Sequence, residues 1–389
     1  MNNFVFQNPT KIIFGKGTVS QLFSEINARG VKRLLLTTGS GSVKTSGLYE
    51  KVCSQLTGIE VLELSGITPN PKMESIDIGV NICKKNKVDM ILAVGGGSVI
   101  DGSKAIAAGA VIDENIWDIA ERRIEEIVKA VPLACILTLP ATGTEMNGNS
   151  VISKWDTREK LSLYGPAIYP VFSILDPELT FSIPKTHTTY GNIDIIIHAL
   201  EQYFTHTPAT PLLDRLTEGL VITMVENSIK VLDVPADYDT RANLMFCGTV
   251  ANNHWIGVGK EHDWASHNIE HELSALYDVP HGAGLAVIYP NWMKYVMQKD
   301  PGKFAQFAER VWSVSRSGRK DIDVAQEGVV KMREFFKRIG APVTLQDLEI
   351  DVNDIPHMAK QATRFGPIGG YCKLNTTDVE RILEMCNIS

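Results

Sequence analysis

A carboxylate and a group of imidazoles in the middle of the chain are the residues best suited to chemistry. Asp194 and His198 stand in GNIDIIIHALEQ, four residues apart in a stretch that reads as helix. That spacing stacks both side chains on one face, about one turn apart. The rest of that face is apolar, where a carboxylate without a partner is costly unless a cation compensates it. His267 and His271 lie in DWASHNIEHEL and His281 in YDVPHGAGLA. These three compete for the remaining positions, and spacing does not choose among them. A carboxylate with imidazoles is an O/N donor set that suits Zn²⁺ or Fe²⁺ better than Ca²⁺ or Mg²⁺. His187, His206, His254, His262 and His357 read as ordinary surface or core residues.

The same stretch carries a rival pattern. His267-Asn268-Ile269-Glu270-His271 matches H-x-x-E-H, the inverted zinc-peptidase motif with Glu as base. The pattern is short, and a peptidase leaves Asp194, His198 and the nucleotide-type loops described next without a use.

The elements that must position these residues divide the chain in two. RLLLTT (33–38), VLEL (61–64), DMILAV (89–94) and LACILTL (133–139) are strand-like runs separated by helical stretches. Strands alternating with helices predict βαβ units and an open α/β sheet, with ligands at the carboxyl ends of the strands. From about residue 180 the pattern turns helical: 187–205, 211–232, 238–256, 263–276, 304–315 and 323–338. The expected organisation is an α/β dinucleotide-binding domain over 1–180 and an all-helical metal-binding domain over 181–389.

Three loops rich in Gly, Ser and Thr follow the strands. Gly95, Gly96, Gly97 and Ser98 end a hydrophobic strand and open a helix, so backbone N–H groups can approach a pyrophosphate without Cβ clashes. The loop is not a G-x-G-x-x-G fingerprint. Gly39, Ser40, Gly41 and Ser42 follow the first strand with no acidic residue until Glu50 and with Lys44 nearby. An acidic side chain at that point favours a free ribose hydroxyl and repels a 2′-phosphate, so its absence favours NADP(H) over NAD(H). Thr138, Thr142 and Thr144 offer hydroxyls in the third loop. A metal site beside a dinucleotide site points to metal-assisted hydride transfer.

Bulk properties exclude other classes. The 389 residues are 44% hydrophobic and 21% charged with a net charge of −7, and no Lys/Arg block predicts a nucleic-acid surface. Apolar runs such as IDIII are too short to span a bilayer. The six cysteines are scattered without a CxxC pair, and the N-terminus does not read as a signal peptide, so free thiols in a reducing cytoplasm are expected.

Beyond these readings, the chain resembles the iron-containing (group III) alcohol dehydrogenases, and is most similar to their NADP-dependent butanol dehydrogenase and aldehyde reductase branch. The resemblance rests on PTKIIFGKG, LSGITPNP, LAVGGGSVIDGSKAIAA, LTLPATGTEMN, GNIDIIIHALEQY, RANLMFCGT and DWASHNIEHELSALYDVPHGAGLA. It implies a dehydroquinate synthase-like arrangement of α/β and all-α domains, and hydride exchange between NADP(H) and short- to medium-chain alcohols or aldehydes such as butanal. It implies Asp194, His198, His267 and His281 as ligands of one Fe²⁺ or Zn²⁺, with His271 in the catalytic cleft outside the ligand set. It assigns Gly96, Gly97 and Ser98 to the pyrophosphate loop, with Asp101 after it. Thr138, Thr142 and Lys160 match cofactor-contacting positions, and Asn70 matches a Pro-Asn-Pro loop near the adenine. Gly39, Ser40 and Ser42 lie where NAD-preferring relatives carry Asp. Many butanol dehydrogenases read GGGS there, and this chain departs with GSGS. Relatives often form homodimers, and FVFQNPTKIIFG is expected to supply a pairing edge strand. Asn147, Asn149, Trp255 and Tyr371 are expected to line the substrate pocket. A non-redox, NAD- and metal-dependent lyase of the same fold is the alternative activity, and a nucleotide-binding regulatory module is a third class.

Overall fold

The computed structural model describes residues 1–122 and 125–387. Two compact units form. One comprises Gln7–Ile183 with Pro235–Asn253; the other comprises Met1–Phe6, Pro184–Val234 and His254–Ser389. The first six residues and the segment 235–253 thus each cluster away from their sequence neighbours.

The first unit is built on a parallel sheet of six strands: β1 (Lys11–Phe14), β2 (Arg33–Thr38), β3 (Glu60–Leu64), β4 (Met90–Gly96), β5 (Leu133–Leu139) and, after an antiparallel hairpin of β6 (Asn149–Lys154) and β7 (Glu159–Tyr164), β8 (Phe172–Leu175). The spatial order is β1-β8-β5-β4-β2-β3. Alternate residues of each central strand enter two different cores. Leu34, Leu36, Leu92, Val94 and Ile136 pack with α1 (Leu22–Asn27) and α3 (Leu48–Cys53). Leu35, Ile91, Ala93, Leu133 and Cys135 pack with the opposite layer. Burial on both faces is why these strands are unbroken apolar runs. Between β1 and β8 in the chain run α1, α2 (Ser42–Thr45), α3, α4 (Met73–Asn86), α5 (Gly97–Gly109) and α6 (Ile116–Arg122).

The strand order places β4 and β3 on opposite sides of β2, so the winding reverses there. A reversal opens a crevice at the carboxyl ends, where doubly wound sheets bind ligands. The loops after β2, β4 and β5 are therefore neighbours.

The second unit is helical: α7 (Lys185–Glu201) and α8 (Pro211–Asp233), then, after α9 (Tyr238–Ala251) of the first unit, α10 (Ala265–Tyr277), α11 (His281–Val296), α12 (Gly302–Trp312), α13 (Asp321–Arg338), α14 (Ile355–Ala362) and α15 (Thr376–Met385). α7 is buried nearly all round from Thr188 to Glu201, as a central helix must be. It stops at Glu201 rather than 205, because Tyr203 and Phe204 continue the apolar pattern as core residues of the following turn. α11 has no counterpart among the expected helices. Its glycines and Pro290 argue against helix locally, and burial of Leu285, Ile288, Tyr289 and Trp292 overrides them. Among the described residues no helix is long and apolar enough to cross a membrane.

Candidate metal centre and cofactor loops

Three helices of the second unit bring the expected metal residues together. Asp194 and His198 lie on α7, His267 and His271 on α10, and His281 opens α11. Close helix approach depends on two glycines. A Cβ at Gly282 would stand 2.1 Å from the Tyr190 carbonyl oxygen of α7. One at Gly284 would stand 2.8 Å from Cγ of Glu270 on α10. The HGAG stretch therefore holds His281 against both neighbours.

Asp194 Oδ1 is the centre of the cluster. It lies 3.2 Å from His198 Nδ1, 3.8 Å from His267 Nε2 and 3.7 Å from His281 Nε2. Donor atoms of Asp194, His267 and His281 all lie within 4.8 Å of one another. His198 stands beside this triad, its ring 4.6 Å from that of His267. Asp194 Oδ1, His198 Nδ1 and His267 Nε2 are buried and have no hydrogen-bond partner. Each such atom costs about 1–3 kcal/mol. Three of them facing one another fit a divalent cation that would satisfy all of them.

Electrostatics agree with that fit. Burial alone would raise the Asp194 carboxyl, but the imidazoles of His198, His281 and His267 hold it well below the carboxylate range. Burial presses His198 down to about 3 against the pull of Asp194, which leaves its imidazole neutral. Burial also lowers His267, yet Asp194 and Glu201 outweigh it and raise the group to about 9. A proton on Nε2 and a cation thus compete for the same place.

Two carboxylates that sequence reasoning missed orient the imidazoles. Glu201, fully buried, accepts from His267 Nδ1 at 2.9 Å, from Ser266 Oγ at 2.5 Å and from the Trp264 N–H at 2.9 Å. Glu270, also fully buried, pairs with His281 Nδ1 and accepts from Ser274 Oγ. Each carboxylate holds the proton on Nδ1 and so turns the Nε2 lone pair toward Asp194. Glu201 was legible: it follows Asp194 by seven residues on the same face of α7. Glu270, the base of the peptidase pattern, is committed to His281. His271 is half-buried beside it, and Glu270, His271 and His281 form a second group of closely spaced donors.

The cofactor-loop residues all lie in the first unit. Gly96 precedes α5 without a side-chain cap, so no capping side chain occupies the first N–H groups of the helix. A Cβ at Gly97 would stand 2.7 Å from Thr142 Oγ1, and one at Gly96 3.0 Å from Leu139 Cβ. These glycines are required by the close approach of the β4 and β5 loops. Ser40 and Ser42 are exposed, while Gly39, Ser98, Thr138 and Thr142 are half-buried. Lys44 rests over the Tyr49 ring, 4.9 Å from its centroid. Asn70 is buried in a left-handed conformation, φ 50°. The next residue, Pro71, accepts from the Ser153 N–H at 2.9 Å, and Ser153 is the register partner of Lys160. The hairpin thereby ties Asn70 and Lys160 to one edge of the loop cluster. Asp101 is buried with both oxygens engaged, by Thr144 Oγ1 at 2.5 Å and the Val151 N–H at 3.0 Å. It shapes the loops from beneath. Of the expected pocket residues, Asn147 is buried with its amide bonded to the Asn252 carbonyl, and Tyr371 is buried with its hydroxyl on the Asp300 carbonyl. Trp255 is exposed against Phe6.

Comparison with known proteins agrees with both halves of this description. Residues 9–177 match the iron-containing alcohol dehydrogenases, and residues 188–386 match the C-terminal domain of the same family. The chain belongs to the iron-containing alcohol dehydrogenase family. It is 44% identical over 386 residues to a probable NADH-dependent butanol dehydrogenase of Bacillus subtilis, covering 99% of each chain. It is 40% identical over 369 residues to the NADPH-dependent aldehyde reductase YqhD of Escherichia coli, covering 94% of each. The crystal structure of an NADH-dependent butanol dehydrogenase from Thermotoga maritima superposes with a TM-score of 0.95 at 40% identity, covering 100% of this chain and 99% of that one.

Proposed function

We propose that this NAD(P)-dependent alcohol dehydrogenase works as a reductase of short- to medium-chain aldehydes such as butanal, with NADPH preferred and with Fe²⁺ or Zn²⁺ held by Asp194, His198, His267 and His281. The observation that carries the reading is the convergence of three buried, unpartnered atoms, Asp194 Oδ1, His198 Nδ1 and His267 Nε2, with His281 Nε2 alongside.

When bound, the metal supplies Lewis-acid polarisation of the carbonyl and stabilises developing alkoxide charge. The nicotinamide supplies the hydride. The chain's own residues do the rest. Asp194 contributes the negative charge that makes a cation site of the imidazole cluster. Glu201 and Glu270 keep two imidazoles in the ligating tautomer. The glycines of the β4 loop and the first turn of α5 receive the pyrophosphate, and Thr138, Thr142, Asn70 and Lys160 orient the rest of the dinucleotide. His271, half-buried next to His281, is the relay for the proton that reaches the alcohol oxygen. The hydroxyl and backbone donors of Gly39, Ser40 and Ser42, with no carboxylate among them, support NADPH. Relatives of similar identity are named for either cofactor. We further infer a homodimer formed through β1, which has a single neighbour, β8, in the sheet, and a cytoplasmic location.

The test is absorbance of the reduced nicotinamide with butanal, using NADPH and NADH, on chelated protein and after adding Fe²⁺ or Zn²⁺. Metal-restored oxidation that favours NADPH supports the reading. Faster oxidation of NADH overturns the cofactor preference alone. No net oxidation with either cofactor overturns the reductase reading and favours a non-redox lyase.

A further inference from the structure

Lys104 is fully buried on α5, seven residues after the glycine that opens that helix. Its ammonium donates to Thr144 Oγ1 at 2.7 Å, to the carbonyls of Asn147 and Asn149 at 2.8 and 2.7 Å, and to Asn147 Oδ1 at 3.1 Å. The chain of bonds continues. Asn147 Nδ2 donates to the Asn252 carbonyl at 3.1 Å, and Asn252 Nδ2 donates to the Thr142 carbonyl at 3.0 Å. Thr142 in turn lies against Gly97, at the start of the helix that carries Lys104. These bonds, completed by the packing of Thr142 against Gly97, make a ring from α5, through the β5 loop and the end of α9, back to the α5 N-terminus.

We propose that Lys104 is a positioning residue for the cofactor, which fixes Thr142 against the Gly96–Ser98 loop through Asn147 and Asn252. The inference rests on the assignment of these loops to the dinucleotide. A buried ammonium is expensive unless it is fully bonded, and this one has an acceptor for each N–H. Burial lowers it to about 8, against the pull of Asp101, Cys135 and Glu145, so at neutral pH it is the charged donor that the ring requires. A bulky neutral side chain could fill the same space but would take the ammonium from four acceptors, of which Asn147 Oδ1 would keep the Asn149 N–H. The β5 loop would then lose its register against α5 while both cores stayed intact.

The experiment is a fluorescence titration of NADPH into Lys104→Met and Asn252→Ala, beside wild type, with bound metal and circular dichroism measured on each. The expected result for Lys104→Met is a Kd and a KM for NADPH about tenfold higher or more. Metal content and kcat at saturating NADPH should stay near wild type. Asn252→Ala breaks the ring far from Lys104 and is expected to shift Kd in the same direction by about threefold. A merely structural lysine would lower the melting temperature without splitting KM from kcat. A folded Lys104→Met with wild-type Kd and KM overturns the inference; if that variant does not fold, an unchanged Kd in Asn252→Ala does so. Wild type that binds neither NADPH nor NADH overturns the loop assignment itself, and this inference with it.

Discussion

The two candidate sites are made in opposite ways. In the helical unit, side chains make the candidate metal centre: one carboxylate, three imidazoles and two buried glutamates that orient two of them. In the α/β unit, the candidate cofactor loops are made by missing side chains. Gly96 and Gly97 leave room for the side chains of Leu139 and Thr142, and the expected donors are backbone N–H groups. A site of convergent charge fails when one atom is removed. A site of bare backbone fails when one atom is added.

The largest effect follows from removal. His267→Ala should lose metal and activity together, with kcat/KM down by roughly 10²–10⁴-fold, several kcal/mol at about 1.4 kcal/mol per tenfold. Metal analysis beside turnover decides, and full occupancy with normal rates would sink the ligand assignment. Next comes removal one step out. Glu201→Gln should weaken metal binding by roughly 10–100-fold through His267. Competition with a chromogenic chelator measures this, and unchanged affinity would leave Glu201 as a helix-start anchor only.

Addition is the matching perturbation on the other side. Gly97→Ala places a methyl 2.7 Å from Thr142 Oγ1. NADPH binding should weaken by about tenfold, since close packing must be relieved by a shift of the β5 loop. Metal content should not change, and a loss of metal in this variant would break the division drawn between the sites. His271→Ala should keep the metal and alter the pH–rate profile, and a superimposable profile would remove the relay.

The smallest effect concerns pH. The buried Lys104 holds its proton less tightly in the folded chain, about 8 against an ordinary 10.5. Between these values the unfolded chain binds more protons, so this group makes stability rise with pH across about 8 to 10.5. Below 8 both states are protonated and the slope vanishes. The melting-temperature gap between wild type and Lys104→Met should therefore widen in favour of wild type from pH 8 to 10. A constant gap would contradict the depressed value.

Legibility followed the same division. Asp194 and His198 were readable because a four-residue spacing on a helix is a statement about a shared face. Glu201 extends that spacing to seven and was available by the same rule. Glu270 was visible only as the base of a peptidase pattern that was set aside, since the position of His281 across two helices is what shows what its carboxylate faces. The glycine loops were readable as loops, yet the partner that demands Gly97 is Thr142, forty-five residues away. α11 was missed because propensity scores its glycines and Pro290 locally, whereas its helicity comes from burial on all sides.

The sequence by itself determined the alternation of strand and helix, the change to helix near residue 180, the donor types of the candidate metal residues and the small-residue loops at strand ends. These are local quantities, set by side-chain period and by the conformational freedom of single residues. Only the tertiary structure decided the rest. It chose the strand order that makes three loops neighbours. It gathered the segment 235–253 into the α/β unit, where Asn252 meets Thr142. It brought Asp194, His267 and His281 within reach of one another from three helices. Such contacts join positions far apart in the chain, and their energy appears only when the segments between them have already packed.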